Sequence, residues 1–255
     1  MSPGRTHPRA GTVAMTGDHG LGAPSSSFGE RGVAKRIETV RRQLPVRGDR
    51  LLDVGCGDGT YTVELAGGYV RVDAVDVEPG RLESFSDRIA GTELEDRVGV
   101  HKMSVDSLAF DANTFDRVTA FEVVEHLDHL EEGLSEIRRV LKPGGALSLT
   151  TPNRWFPFET HGVLWGARRR SALTAPFLPW VRPLHDRMSD ARAFTTQEMG
   201  GLLRGAGLRV RAIDYLMPPF DRRPRALQHV ADGLEGTPLR VFGMAMAVTA
   251  VKPGL

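Results

Sequence analysis

Residues 51–60 read LLDVGCGDGT. Leu51, Leu52, Asp53 and Val54 form a short, mostly apolar run of the kind a buried strand needs. Gly55, Cys56, Gly57, Asp58 and Gly59 turn the chain, and TYTVEL from Thr60 opens a helix. A strand that feeds a glycine turn into a helix N-terminus makes a cradle for a nucleotide-like ligand. The spacing narrows the choice. A dinucleotide fingerprint, G-x-G-x-x-G, needs a third glycine at position 60, where Thr60 stands, and a phosphate loop needs G-K-[ST] after the turn, which is missing. The pattern is D-x-G-x-G-x-G, carried by Asp53, Gly55, Gly57 and Gly59.

Working outward, the apolar spacing of Val33, Ile37, Val40 and Leu44 predicts a helix over Phe28–Leu44. Strands are expected at Val70–Asp76, Val98–Met103, Phe115–Val124 and Gly145–Thr151, with helices near Tyr61–Ala66, Pro79–Ile89 and Leu130–Leu141 between them. This alternation implies a parallel sheet with helices on both faces and right-handed crossovers. After Thr151 the rhythm breaks: residues 153–193 hold all three tryptophans and the cluster Arg168, Arg169, Arg170. A helix capped by Thr195 or Thr196 with Glu198 restores it, followed by a strand at Leu208–Leu216, a helix near Pro224–Leu234 and a last strand over Leu239–Lys252. The second strand ends in Asp76, where an acid can accept both hydroxyls of a ribose.

The ordered set LDVGCGDGT, VDAVDVEP, LAFDANTFDRV, EVVEHL and LKPGGALSLTTPN resembles the class I S-adenosylmethionine-dependent methyltransferases. The likeness is greatest to the small-molecule branch containing the ubiquinone-biosynthesis O-methyltransferases. It runs from Phe28 to Val251 and is densest over residues 50–153. It implies an α/β, Rossmann-like sheet of seven strands in the order 3-2-1-4-5-7-6 with strand 7 antiparallel, and a flap inserted after strand 5. It also implies S-adenosyl-L-methionine as cofactor: Asp53, Gly55, Cys56, Gly57 and Gly59 around the methionine moiety, Asp76 with Val77 beside the ribose, and Ser104, Val105 or Asp106 at the adenine. The family often has an acid at the place of Ser104, whereas here the acid comes two residues later. Glu122 is expected between the methionine end and the acceptor.

Methyl transfer from a sulfonium is an in-line displacement, so alignment does most of the work, and a hydroxyl acceptor also benefits from a general base. EVVEH places Glu122, Glu125 and His126 at the exit of strand 4, where open sheets bind ligands. His126 and His161 are the candidate bases, with Glu122 beside them. PNRWFPFETHGVLW (Pro152–Trp165) should hang over the methyl group, with Trp155, Phe156 and Phe158 either lining the acceptor pocket or packing the flap onto the core. No metal is assigned. Glu-x-x-Glu-His is nevertheless similar to the metal motif of the small-RNA 3′-terminal 2′-O-methyltransferases, so the alternative is a cation on Glu122, Glu125 and His126, with His161 or His185 as the further histidine.

Composition sets the outer limits. The 255 residues are 40% hydrophobic and 25% charged with a net charge of +1, ordinary for a globular protein and no electrostatic case for a nucleic-acid partner. Cys56 is the single cysteine, which excludes an internal disulfide. No apolar run reaches the ~18 residues of a membrane span, and a cytoplasmic location is expected. Residues 1–27 read as a disordered leader, with Met15 as an alternative start, and 28–255 as one domain with its flap at 153–193. GARRRSALTAPFLPWVRPL (166–184) reads first as a solvated basic face and secondly as a weak membrane-surface contact. The functional expectation is methylation of a small-molecule acceptor, lipophilic or aromatic, at oxygen. N- or C-methylation, a metal-assisted O-methyltransferase and a catalytically silent cofactor-binding partner are the alternatives.

Overall fold

The computed structural model describes residues 29–165, 168–170, 175–221 and 224–254. The expected leader, 1–27, lies outside the described residues. The first helix, α1 (Glu30–Gln43), buries Val33, Ile37 and Val40, with Glu30 in its first turn and Arg41 and Arg42 in its last, as the helix dipole favours. The elements β1 (Gly48–Val54), α2 (Thr60–Ala66), β2 (Tyr69–Asp76), α3 (Pro79–Ile89) and β3 (Val98–Lys102) follow. Then come β4 (Phe115–Phe121), α4 (Leu130–Val140) and β5 (Leu141–Pro152). Pro79 begins α3, where its missing N–H costs nothing.

Neighbouring residues of β1 serve two cores. Leu52 packs with Phe115, Leu134, Ile137, Leu149 and Met199 on one face of the sheet. Leu51 packs with Val33, Ile37, Tyr61, Leu65 and Phe85 on the other. Coverage on both faces explains why the strands read as continuous apolar runs rather than alternating ones.

Beyond β5 the chain forms the hairpin β6 (Val163–Trp165) and β7 (Arg168–Arg170), a turn of 3₁₀ helix at Leu178–Trp180, and α5 (Arg182–Met188). Helix α6 (Thr196–Gly205) then starts on a reciprocal cap: Glu198 N–H donates to Thr195 Oγ1 (3.2 Å) and Thr195 N–H to Glu198 Oε2 (2.8 Å). Strand β8 (Arg209–Leu216), α7 (Arg225–Glu235) and β9 (Ala245–Val251) complete the molecule. The main sheet runs β3-β2-β1-β4-β5-β9-β8, and β9 is antiparallel to both of its neighbours. With the separate hairpin left uncounted, this is the expected order 3-2-1-4-5-7-6.

Two expected boundaries move by several residues, and one stretch gains structure. Strand β4 stops at Phe121 rather than Val124, because Glu122 takes a left-handed φ of 56° and Val124–His126 form a 3₁₀ turn. The last strand begins at Ala245 rather than Leu239, since Pro238–Phe242 make another 3₁₀ turn before Gly243. Residues 153–193, read as irregular, contain a hairpin and a helix. Both ends of that segment meet at one place: Asn153 and Phe194 bridge, Phe194 N–H donates to Pro152 O (3.1 Å) and Arg154 N–H to Phe194 O (3.0 Å). Asn153 Nδ2 also donates to the carbonyls of Val241 and Gly243 at 2.8 and 2.7 Å.

Candidate active site

The order of the sheet reverses between β1 and β4, the kind of switch point at which open α/β sheets bind ligands in a crevice outside the carboxyl ends of the strands. Gly55, Gly57 and Gly59 line it with φ of 66°, 56° and 77°. Two of them are glycine for packing. A Cβ at Gly55 would lie 2.3 Å from Val123 Cγ2, and one at Gly59 would lie 2.1 Å from the Phe85 ring. A Cβ at Gly57 would come no closer than 3.9 Å to anything, Arg81 Nη1 being nearest, so the chain there faces open space.

Asp76 at the end of β2 stiffens this loop. Its Oδ2 accepts the Gly57 N–H and its Oδ1 the Glu78 N–H, both at 2.9 Å, and each oxygen keeps a second lone pair for another donor. The Gly57 amide is thus engaged by Asp76 rather than turned toward the crevice. Val77 beside it is exposed. Asp53 behaves differently from its expected lining role: it is 2% exposed and accepts the hydroxyls of Thr62 (2.5 Å) and Thr119 (2.7 Å). Burial raises its carboxyl to about 6 despite those bonds. Cys56 is buried, and burial together with Asp53 and Asp76 pushes its thiol up, so it is no nucleophile. Beyond β3, Ser104 and Asp106 are half-buried, whereas the Val105 side chain belongs to the core beside Leu134.

A residue missed from the sequence comes from α1. Arg36 is 1% exposed, its Nε lies 3.3 Å from Glu122 Oε1, and its Nη1 donates to Gly32 O at 3.2 Å. Its signal was an arginine inside the apolar stripe Val33–Ile37–Val40. Glu122 also accepts the Thr150 hydroxyl at 2.8 Å. Burial opposes its ionisation, but the charge of Arg36, the neighbouring His161 and the hydrogen bonds of Thr150 and Arg36 outweigh it, holding the carboxyl below the usual range. Glu125 takes the opposite state. Burial and the Glu122 charge push its carboxyl well above the usual range, and only Oε2 has a hydrogen bond, from Thr151 Oγ1 at 3.2 Å.

His126 and His161 meet edge to face with ring centroids 5.0 Å apart. Burial and the neighbouring His161 lower His126 to about 4, so it is neutral at pH 7. His161 Nε2 lies 3.8 Å from Glu125 Oε1, the atom without a hydrogen bond, and one ligand atom from each of Glu125, His126 and His161 lies within 4.8 Å of the others. Of the alternative cation set, Glu125, His126 and the further histidine His161 come together, while Glu122 is drawn off to Arg36. His185 stays apart, 1% exposed, with Nε2 2.6 Å from Glu159 Oε2. Phe156 and Phe158 stack edge to face at 5.8 Å and are half-buried, while Trp155 is exposed. The side chains of Trp165 and Arg168–Arg170 lie outside the described parts.

A family model described as a methyltransferase domain matches residues 52–149. The ubiquinone biosynthesis O-methyltransferase of Xanthomonas oryzae pv. oryzae (strain PXO99A) is 30% identical over 195 residues, 74% of this chain and 75% of its own. The demethylmenaquinone methyltransferase of Clavibacter sepedonicus is 38% identical over 112 residues, 44% of each chain. The crystal structure of an S-adenosylmethionine-dependent methyltransferase from Mesorhizobium loti superposes with a TM-score of 0.62 at 19% identity, covering 85% of this chain and 97% of that one.

Proposed function

Because the chain belongs to the class I S-adenosylmethionine-dependent methyltransferases, we propose that it methylates an oxygen of a small-molecule acceptor bound between the exit of β4 and residues 153–193. The crevice fits the cofactor on two observations: the open space at Gly57 and the buried Arg36–Glu122 pair. Bound there, S-adenosyl-L-methionine supplies an electrophilic methyl group. Asp76 holds the ribose, and Ser104 or Asp106 borders the adenine. Arg36 meets the methionine carboxylate and Glu122, held ionised, its ammonium group.

The observation that carries O-methylation is the facing pair His126 and His161 beside the cradle. A hydroxyl is a weak nucleophile until its proton has somewhere to go. His161 receives that proton, and His126, kept neutral by burial, orients the acceptor. The half-buried aromatic pair Phe156 and Phe158 suits an apolar or aromatic acceptor body. The O-methyltransferase named among the relatives supports the same choice of atom. The test is a panel of phenols, catechols, aliphatic alcohols and amines incubated with methyl-labelled S-adenosylmethionine. Label entering oxygen acceptors supports the reading, and label entering only amines or carbon overturns it.

One observation favours a second, metal-assisted reading: Glu125 Oε1 is buried without a hydrogen-bond partner and faces His161. Glu125, His126 and His161 would hold a divalent cation, which supplies Lewis acidity toward an acceptor oxygen. Turnover lost to a chelator and restored by Mg²⁺, Mn²⁺ or Zn²⁺ supports this version, and full turnover in chelator removes it.

A further inference from the structure

Glu159 and His185 have no part in the chemistry above, yet they make the most buried acid–imidazole contact of residues 153–193. They are 4% and 1% exposed, and 2.6 Å separates Oε2 of Glu159 from Nε2 of His185. A carboxylate this deep is costly unless its oxygens are satisfied. The second oxygen, Oε1, accepts the backbone N–H of Thr160 at 2.8 Å and of His161 at 3.0 Å. His185 Nδ1 has no hydrogen-bond partner among the described residues, so Nε2 is the nitrogen that donates to Glu159.

These contacts converge on one imidazole. Thr160, whose amide Glu159 holds, places its hydroxyl 3.0 Å from His161 Nδ1. The far nitrogen, Nε2, is thereby left facing Glu125 at 3.8 Å, with the ring against His126. Gly162 follows with a φ of 107°, and the chain bends at His161. The anchor comes from elsewhere in the chain. His185 lies on α5, held there by its own N–H to Val181 O at 2.9 Å.

We infer that Glu159 and His185 form a buried positioning dyad that fixes the backbone and ring orientation of His161 from within the flap, using α5 as its support. Outer contacts of this kind orient the groups that touch the reactants. The inference rests on the reading of His161 as the residue that meets the acceptor.

The test needs no acceptor. The full chain is labelled with ¹³C,¹⁵N-histidine, and His126 and His161 are assigned by the signals lost in H126Q and H161Q. The edge-to-face contact predicts a cross-relaxation peak between the two rings. It should survive in E159Q, whose amide oxygen still accepts both N–H groups, but reduced as in H185F, because the amide NH₂ no longer accepts from His185. It should disappear in E159A and fall at least twofold in H185F. Affinity for S-adenosylmethionine, measured by calorimetry, should stay within twofold, and melting should stay cooperative even where E159A or H185F, by leaving a buried group without its partner, lowers the midpoint. The inference is overturned if the peak is absent from the unsubstituted chain or survives in E159A. It is equally overturned if E159Q loses the peak as E159A does, or if the loss comes with lost cofactor binding or lost cooperativity, which is what a merely structural role produces. Turnover of H161A separately tests the reading underneath, so the two failures are distinguishable.

Discussion

Arg36 of α1 and Glu122 at the left-handed exit of β4 meet at 3.3 Å, with side chains only 2% and 12% exposed. A pair this buried contributes less to stability than its geometry suggests, because desolvation offsets the attraction, but losing one partner leaves a charge stranded. Arg36→Met should therefore weaken S-adenosylmethionine binding by tenfold or more and lower stability by about 3 kcal/mol. Calorimetry and urea melts measure the two effects. Unchanged affinity would remove Arg36 from the methionine end.

Asp76→Ala removes the acceptor that organises the Gly57 amide and the proposed ribose contact together. Charge-assisted hydrogen bonds are worth roughly 1.5–3 kcal/mol each. Cofactor affinity should fall by about ten- to a hundredfold, with the acceptor preference unaltered. Titration of the variant with S-adenosylhomocysteine, which shares the ribose, should show the same loss.

Gly57→Val puts a β-branched side chain at φ 56° into the one open part of the loop. Cofactor binding should vanish while far-UV circular dichroism stays close to native, the cost to the fold being the local strain of a β-branched residue at a positive φ. A folded variant that binds normally would make the loop structural only.

Asp53 supplies a pH signature. Burial raises its folded pKa to about 6, above its ordinary 3.8, so the folded state binds more protons between those values and this group's contribution to stability falls as pH climbs from about 4 to about 6. Asp53→Asn removes the ionisation and leaves groups that can bond Thr62 and Thr119. Relative to the unsubstituted chain, the variant should gain stability across that window, by up to about 3 kcal/mol, and the difference should be flat above it. Chemical denaturation at several pH values measures the difference, and a gap that stays constant from pH 4 to 7 refutes the assignment.

His161→Ala should lower kcat by about 10²-fold once an acceptor is in hand, as loss of a general base does, with cofactor affinity untouched. Full turnover would leave residues 153–193 as a cover without chemistry.

What could be read from the chain was what local chemistry writes. The glycine turn, Asp76 ending its strand and the Thr195–Glu198 cap each depend on residues a few positions apart. The sheet order followed from a resemblance spread along the chain. The rest depends on distance or brevity. β6 and β7 have three residues apiece and α5 has seven, too short for a period to register. Val123 and Val124 continued an apolar run that the backbone abandons at Glu122. Arg36 finds Glu122 across 86 positions and Glu159 finds His185 across 26, separations that no motif spans.

The bridge between Asn153 and Phe194 has an evolutionary corollary. Residues 154–193 leave and rejoin the sheet side by side, so away from their contacts with Glu125, His126 and Glu198 they can lengthen or be exchanged without shifting strand register. Under the proposed function, the sheet and glycine turn are under selection to keep a universal methyl donor, while this shorter segment is at liberty to acquire new acceptors. Grafting the segment between relatives at this bridge should therefore transplant acceptor choice as a cassette.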